Sequence, residues 1–577
     1  MRLTGAGGRA GGRAAGPGSP ALVPAAAAER AGGSRPGWAL GGLPLRWALP
    51  VALAGGLVLA AAFPPAGAWP LAIAGPALLT VALWCRSLRA SLVVGLVFGA
   101  AFFVPLISWL VNVAWYVWAA LAVAEMVSFA CLRWAQCLLL RLRAWPVAVA
   151  GWWVAAEAVR DRWPYAFPWG RLAMSQASAP TARWVAVGGA PLLTFLLALA
   201  GACLAWLLLR PAQQAERLKA PRHQQRLPAS RRQQRWPALR RRALPAVAFA
   251  VATGLVLAGR LLPVDQGSPG GPDATVAAIQ GDVPHARNLP DLWRATAVTQ
   301  YHTEATQELA AQIRAGSRPT PDLVIWPENS ADLDPRLNPA IYAAIRSAAD
   351  AIRRPVLVGA VLANPRRNAG QLWLPRRGPV AVYVKRQLVP FGEYIPFRGL
   401  LSHITSLTAL QPVNYTPGHQ AVVFHIGKIR LGDVICYEIG FDGLVRSEVT
   451  AGANLLVVQS NDADFELDGQ LGETQQQVAM ARLRAIESDR AVVYASTTGD
   501  SVIISPDGSL ITRSGTWRRA ELDARVPLRT TVTLADRLGG WPEGATSAAT
   551  AAALAWALAS AALARRRSRR DRPPSAG

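Results

Sequence analysis

The chain has 577 residues, 52% of them hydrophobic and 16% charged, too long and too oily for one water-soluble domain. Its formal net charge of +25 suggests nucleic acid at first, but the arginines crowd the N-terminal tail, the segment 210–242 and the tail 565–572, while the charges over 271–530 cancel to roughly zero. Basic clusters beside apolar runs mark cytoplasmic loops, so the charge argues for a membrane protein and against a nucleic-acid partner.

Residues 1–44 are rich in Gly, Ala, Pro and Arg and read as a disordered cytoplasmic tail. Apolar runs of spanning or near-spanning length come next, at 47–63, 69–85, 91–110, 114–132, 145–159 and 184–209. Arg86 and Arg89 follow the second run, Arg133, Arg141 and Arg143 the fourth, and the basic loop 210–242 the sixth. Every even-numbered run therefore ends on the basic, cytoplasmic side. A seventh run, 243–258, exits on the opposite face, which completes a membrane domain over 45–265 and places the next part of the chain outside the cytoplasm. An eighth run at 545–564 leads to six further arginines and a basic cytoplasmic tail, 565–577.

Between these spans, residues 270–530 alternate β-like and helical stretches, the pattern of an α/β domain. Strands are predicted at 274–281, 322–328, 355–361, 380–388, 430–436, 455–459 and 492–496, with helices at 295–315 and 475–489. Three of the strand ends carry a reactive side chain. Glu328 closes Val-Ile-Trp-Pro-Glu, Lys385 closes Val-Tyr-Val-Lys, and Cys436 closes Leu-Gly-Asp-Val-Ile-Cys. Cys436 is also the only cysteine of this outer domain. Cys85, Cys131, Cys137 and Cys203 lie in or beside apolar runs, where cysteine is an ordinary small hydrophobe. Alone, each of the three residues reads as a solvated glutamate, a surface lysine or a packed thiol. As an ordered set they suit acyl transfer through a thioester: a carboxylate to take the thiol proton, a sulfur nucleophile, and a cation beside the developing oxyanion.

Trp-Pro-Glu-Asn ending at Asn329, the run from Lys385 through Glu393 to Pro396, and Cys436-Tyr437-Glu438 resemble, in order and spacing, the marks of the nitrilase (carbon-nitrogen hydrolase) superfamily. The fuller strings look like its apolipoprotein N-acyltransferase branch. Phe63-Pro-Pro65, Trp69-Pro-Leu71, Phe167-Pro-Trp169 and Ser175-Gln176 are similar to family positions in the membrane half, and the resemblance covers about 45–565. It implies a polytopic α-helical membrane domain of about eight helices joined to an αββα sandwich. It also implies Cys436 as nucleophile, Glu328 as general base and Lys385 as oxyanion-stabilising cation. Glu393 and Glu438 would be accessory carboxylates and Tyr437 a neighbour of the substrate. The implied partners are a phospholipid acyl donor and a diacylated apolipoprotein acceptor, with no cofactor. The six histidines show no metal-ligand spacing.

Three departures fall on the acceptor side. Asp464 stands in place of the usual Trp, Gln477 in place of His, and Thr498 in place of Asn, all expected away from the three chemical residues. In the spans, Glu125 is either a functional carboxylate or a neutral packing group, and Glu157 and Arg160 are spaced to pair on one helix. The sequence also admits a membrane-bound nitrilase-type amidase that hydrolyses a small amide, or a non-catalytic scaffold for another envelope enzyme.

Overall fold

The computed structural model describes residues 42–218, 231–264, 271–284, 291–403, 412–463, 465 and 472–570. Nearly all of the N-terminal tail, part of the basic loop, Asp464 and residues 571–577 lie outside the described residues.

Seven helices come first: α1 (Leu45–Ala60), α2 (Leu71–Leu83), α3 (Leu88–Leu106), α4 (Trp115–Leu139), α5 (Trp145–Arg160), α6 (Val185–Leu218) and α7 (Arg231–Ala258). The buried face of α1 is Ala48, Ala52, Gly55, Gly56 and Leu59, and the four alanines and glycines are small enough to let α2 and α3 approach closely. Among the described residues, five helical segments are long and apolar enough to cross a bilayer: Leu88–Leu106, Trp115–Leu139, Pro180–Leu209, Ala243–Leu261 and Trp541–Leu563. α1, α2 and α5 have 16, 13 and 16 residues. At about 1.5 Å per residue they fall short of a hydrocarbon core of roughly 30 Å. α6 is broken at Gly188 and Gly189, whose backbone leaves the helical region.

The pairing expected of Glu157 with Arg160 is not what forms. Arg160 instead reaches across to Glu125 on α4 at 2.9 Å, and Tyr165 donates to the same carboxylate at 2.8 Å. Glu157 accepts from the Leu172 amide at 2.8 Å and from Thr194 at 2.9 Å. Side chains on one turn of a buried helix are thus outcompeted by donors from neighbouring segments that have no water to turn to. Glu125 is a partnered packing group.

The remaining elements are β1 (Asp273–Gln280), α8 (Asp291–Arg314), β2 (Leu323–Ile325), α9 (Pro339–Ile352), β3 (Val356–Leu362), β4 (Arg367–Leu374), β5 (Gly378–Val384), α10 (Arg398–Leu401), β6 (Val423–Ile426), β7 (Ile429–Ile435), α11 (Asp442–Thr450), β8 (Leu455–Ser460), α12 (Gly472–Ser488), β9 (Val492–Ser496), β10 (Val502–Ile504), β11 (Leu510–Arg513), β12 (Ala520–Pro527), α13 (Leu534–Leu538) and α14 (Trp541–Arg570). Two six-stranded sheets form, ordered β12-β1-β2-β3-β4-β5 and β11-β10-β9-β8-β7-β6. Their inner faces meet through Val276, Ile325, Leu372, Leu431, Leu455 and Val493. The outer face of the first sheet is covered by α8 and α9 through Leu309, Ile341 and Ile345. On the second sheet, Val434, Val458 and Tyr494 join Val449 of α11, Met480 of α12 and the membrane helices in one continuous core. The expected αββα sandwich is therefore present, with the α11/α12 layer seated on the membrane helices.

Candidate active site

Each reactive residue sits just beyond the C-terminal end of a strand. β2 and β5 run in one direction in the first sheet, because β3 is parallel to β2 and two antiparallel pairings separate β3 from β5. Pro327, which has no amide proton, ends the pairing after Trp326 and turns Glu328 out of the sheet, so β2 is shorter than the predicted 322–328. Lys385 follows β5, its amide held by the Asn368 carbonyl at 2.9 Å. Cys436 follows β7 at φ +51, in the left-handed region that a side chain occupies at a cost. It opens a short 3-10 turn, Cys436–Gly440.

The structure brings the three together. Lys385 Nζ donates to Glu328 Oε1 at 2.9 Å and to Glu393 Oε1 at 3.1 Å. All four residues are nearly buried, and the charges of Glu328 and Lys385 both act on the Cys436 thiol. Asn368, which no signal in the sequence singles out, donates to both carboxylates, at 2.6 Å to Glu328 and 2.7 Å to Glu393. The Asn461 amide holds the other oxygen of Glu328 at 3.0 Å. Glu393 is pinned in turn by the Val389 amide at 2.7 Å.

The two accessory carboxylates have separate tasks. Glu393 touches the ammonium. Glu438 accepts from the Ile435 amide at 2.9 Å, from Tyr383 at 2.7 Å, and from the amides of Arg386 and Gln387 at 2.6 and 3.0 Å. It thereby ties the turn carrying Cys436 to the segment leaving Lys385. Tyr437 does not face the sulfur. Its ring stacks on Trp169 at 5.3 Å and its hydroxyl donates to the Ala166 carbonyl at 2.6 Å, so it anchors the Cys436–Gly440 turn to a membrane loop.

Gln477 corrects the expectation that the departures lie apart from the chemistry, because its Nε2 donates to Cys436 Sγ at 3.4 Å and also to Glu473. The first turns of α12 pass over the strand end, which puts helix position 477 above the thiol. Thr498 is buried, and Asp464 is outside the described residues.

Burial, and then the Glu328 carboxylate, push the Cys436 thiol well above its ordinary range, with Lys385 opposing. That direction favours the neutral thiol, so a sulfur nucleophile at this position would need a base beside it. Burial disfavours the Lys385 ammonium, but Glu328 and Glu393 outweigh it and hold the group charged. The arrangement can therefore supply a proton acceptor, a sulfur nucleophile and a fixed cation within one dry site.

The site is docked on the membrane helices by ion pairs as well as rings. Arg171, from the loop before α6, makes two hydrogen bonds to Asp442 at 2.8 and 3.0 Å. Arg484 of α12 binds the same carboxylate, and also the Ile439 carbonyl at 3.2 Å and the Gly440 carbonyl at 3.3 Å. Gln476 donates to the Leu106 carbonyl at 2.9 Å and the Pro64 carbonyl at 3.1 Å. Burial alone would raise the Asp442 pKa, but Arg171 and Arg484 hold it well below the usual carboxylate range. The stability it contributes is present above about pH 4, the unfolded value, and is lost as the pH falls through the depressed native value. Asp442→Asn removes the carboxylate that two buried guanidinium groups share, and because Arg171 keeps Asp161 at 3.3 Å and Arg484 keeps Glu487, the expected cost is about 1.5–3 kcal/mol, that of lost charged hydrogen bonds. Thermal unfolding in detergent should show a lower midpoint at pH 7, with a smaller further loss on acidification than in the wild type. An unchanged midpoint would show that these pairs do not hold the two parts together.

A family model described as the apolipoprotein N-acyltransferase N-terminal domain matches residues 55–203, and a carbon-nitrogen hydrolase model matches 275–535. The chain is 36% identical over 515 residues to the apolipoprotein N-acyltransferase of Mycolicibacterium smegmatis, covering 85% of this chain and 82% of that protein. It is 29% identical over 536 residues to that of Azotobacter vinelandii, covering 88% and 93%. Among solved structures, an amidase from Nesterenkonia sp. matches at 19% identity with a TM-score of 0.34, covering 46% of this chain and 94% of that one.

Proposed function

The chain belongs to the apolipoprotein N-acyltransferase family, and from that premise we propose that it moves a fatty acyl chain from a phospholipid to the N-terminal amine of a diacylglyceryl-cysteine lipoprotein through a thioester on Cys436. The reading is carried by one observation: a buried cysteine, lysine and glutamate lie together at three strand ends, beside a turn that Tyr437 ties to a membrane loop.

In the first half, Glu328 takes the Sγ proton as the sulfur attacks the sn-1 ester carbonyl. The tetrahedral oxyanion forms beside Lys385. The C–O bond then breaks, and Glu328 returns the proton to the departing alkoxide, releasing a lysophospholipid. In the second half, the α-amine attacks the thioester, the C–S bond breaks, and the amine proton passes by way of Glu328 to the sulfur, leaving an amide and the free thiol. Glu393 keeps Lys385 in place, Glu438 keeps the two strand ends in register, and Tyr437 holds the nucleophile turn on the membrane loop.

Both substrates live in the bilayer, which explains a catalytic part (270–530) tethered between a membrane part (45–265) and a final span (545–564). Basic clusters beside the even-numbered apolar runs support a catalytic part outside the cytoplasm, with both termini inside.

Mass spectrometry of the full chain after exposure to phospholipid tests the reading. One acyl chain should add to Cys436 and disappear when a diacylated lipopeptide is supplied, with the peptide gaining the same mass on its amine. Hydrolysis of the acyl group at a rate that the lipopeptide does not change would favour an amidase-like hydrolase instead.

A further inference from the structure

Beneath the three reactive residues, the layer between the sheets is built mainly of apolar side chains, and Asp433 of β7 and Gln459 of β8 are polar side chains that enter it. Both alternate with the inward-facing Leu431, Ile435, Leu455 and Val457, and both are fully buried. Asp433 pairs with Val457 and Gln459 with Ile435, so the two side chains are diagonal neighbours on one face. Opposite them stands Gly370 of β4. A Cβ there would lie 2.8 Å from Gln459 Oε1 and would overlap Asp433 Oδ2, so both oxygens occupy the space that a side chain at 370 would fill.

The orientation of the Gln459 amide is fixed, because its Nε2 donates to the Trp326 carbonyl, two residues before Glu328. That leaves Oε1 facing into the layer, where among the described residues it meets no donor in hydrogen-bonding geometry, and the two carboxyl oxygens of Asp433 meet none of good geometry either, the Val434 amide being the backbone donor that pulls on them. Acceptors gathered in a dry layer without a donor are strongly unfavourable. One proton on Asp433 removes the conflict. Burial, and then the carboxylates of Glu438 and Glu448, push the Asp433 pKa well above the usual carboxyl range, with the Val434 amide pulling the other way.

We propose that Asp433 is a positioning residue: as the neutral acid it donates its hydroxyl proton to Gln459 Oε1, locking the amide onto the Trp326 carbonyl and so fixing the Pro327–Glu328 turn. Asp433 touches no reacting atom, and the inference rests on the reading of Glu328 as the base. It also accounts for a further carboxyl group, three residues before Cys436, that adds no negative charge beneath a thiol already facing Glu328.

The test uses the full chain in phospholipid nanodiscs. The wild type minus Asp433→Asn infrared difference at neutral pH should contain a protonated-carboxyl band. The rate of Cys436 acylation should stay within about threefold in Asp433→Asn, which keeps a donor for Gln459, and fall about tenfold or more in Asp433→Leu, which leaves Oε1 stranded. The fall should be in the acylation rate at saturating lipid rather than in KM. Gln459→Met should match Asp433→Leu, and the double variant should be no worse than either. A carboxylate band in place of the acid band overturns the proposal, as does an Asp433→Asn rate as low as that of Asp433→Leu. Should Asp433→Leu fail to fold, the infrared band and the Asn variant still decide. Activity surviving Cys436→Ala would instead sink the site reading while leaving the infrared result untouched.

Discussion

Cys436→Ala is expected to leave no acylated enzyme and no lysophospholipid above background, a fall of roughly four orders of magnitude or more. The size of the effect follows from the role. Removal of Sγ deletes the atom proposed to carry the acyl chain between donor and acceptor, and among the described residues the other cysteines are Cys85, Cys131, Cys137 and Cys203, all on or beside the membrane helices. Water could in principle replace the thiol, but it would carry the chain to a free fatty acid and not to an amine. The structural cost should be small by comparison, because among the described residues the sulfur's hydrogen bond is the Gln477 contact at 3.4 Å, a loss of about 1 kcal/mol. A thermal midpoint close to the wild type together with abolished acylation, read by mass spectrometry, is the expected pair of results. Full N-acylation of a lipopeptide by the alanine variant would remove the thioester from the mechanism.

The parts of the molecule that sequence revealed were those in which one physical signal dominates. Eight apolar runs correspond to eight helices, because length and apolarity need no knowledge of partners. The seven predicted strands correspond to β1, β2, β3, β5, β7, β8 and β9, which are rich in Val, Ile, Leu and Ala. The five strands that escaped prediction lack that signal. β4 opens on Arg367 and Asn368 and carries Gly370 at its centre, β6 and β10 have four and three residues, and β11 is largely solvent-facing. β12 does alternate, with Leu522, Ala524 and Val526 toward the core and Glu521, Asp523 and Arg525 on the other face, but its charges disguise the period. α9 was missed as well, although Pro339 opens it and Ile341, Ile345, Ala348 and Ile352 are spaced for one face.

The site shows the same division. Glu328, Lys385 and Cys436 could be picked out because each is a reactive type at the end of an apolar strand. Asn368, Gln459 and Gln477 could not, because amide side chains have no characteristic spacing and their partners come from other strands or the opposite sheet. Tyr437 illustrates a further limit. Its place beside the nucleophile in sequence suggested substrate, whereas the αL conformation of Cys436 reverses the chain and sends the next ring toward Trp169.

Lys385→Met should be nearly as damaging as loss of the sulfur, and for two reasons that add. The ammonium is the fixed cation of the site, and removing such a donor from a developing oxyanion costs on the order of 3–4 kcal/mol, or roughly 10²–10³-fold in rate. It also lies between Glu328 and Glu393, at 2.9 and 3.1 Å, with Asn368 bridging the same pair of oxygens. Without it, two carboxylates face each other in a buried space, and the cheapest remedy is a proton on one of them. A protonated Glu328 cannot take the thiol proton, so acylation of Cys436 should fall by about 10³-fold or more. The uncompensated charge should also lower the thermal midpoint, by an amount reflecting about 3–5 kcal/mol. The double variant Lys385→Met/Glu393→Gln separates the two effects. With one carboxylate gone, the charge imbalance is relieved and the midpoint should climb back toward the wild type, whereas the acylation rate should stay low because no cation meets the oxyanion. Recovery of the rate alongside the midpoint would show that Lys385 serves only to hold the two glutamates together.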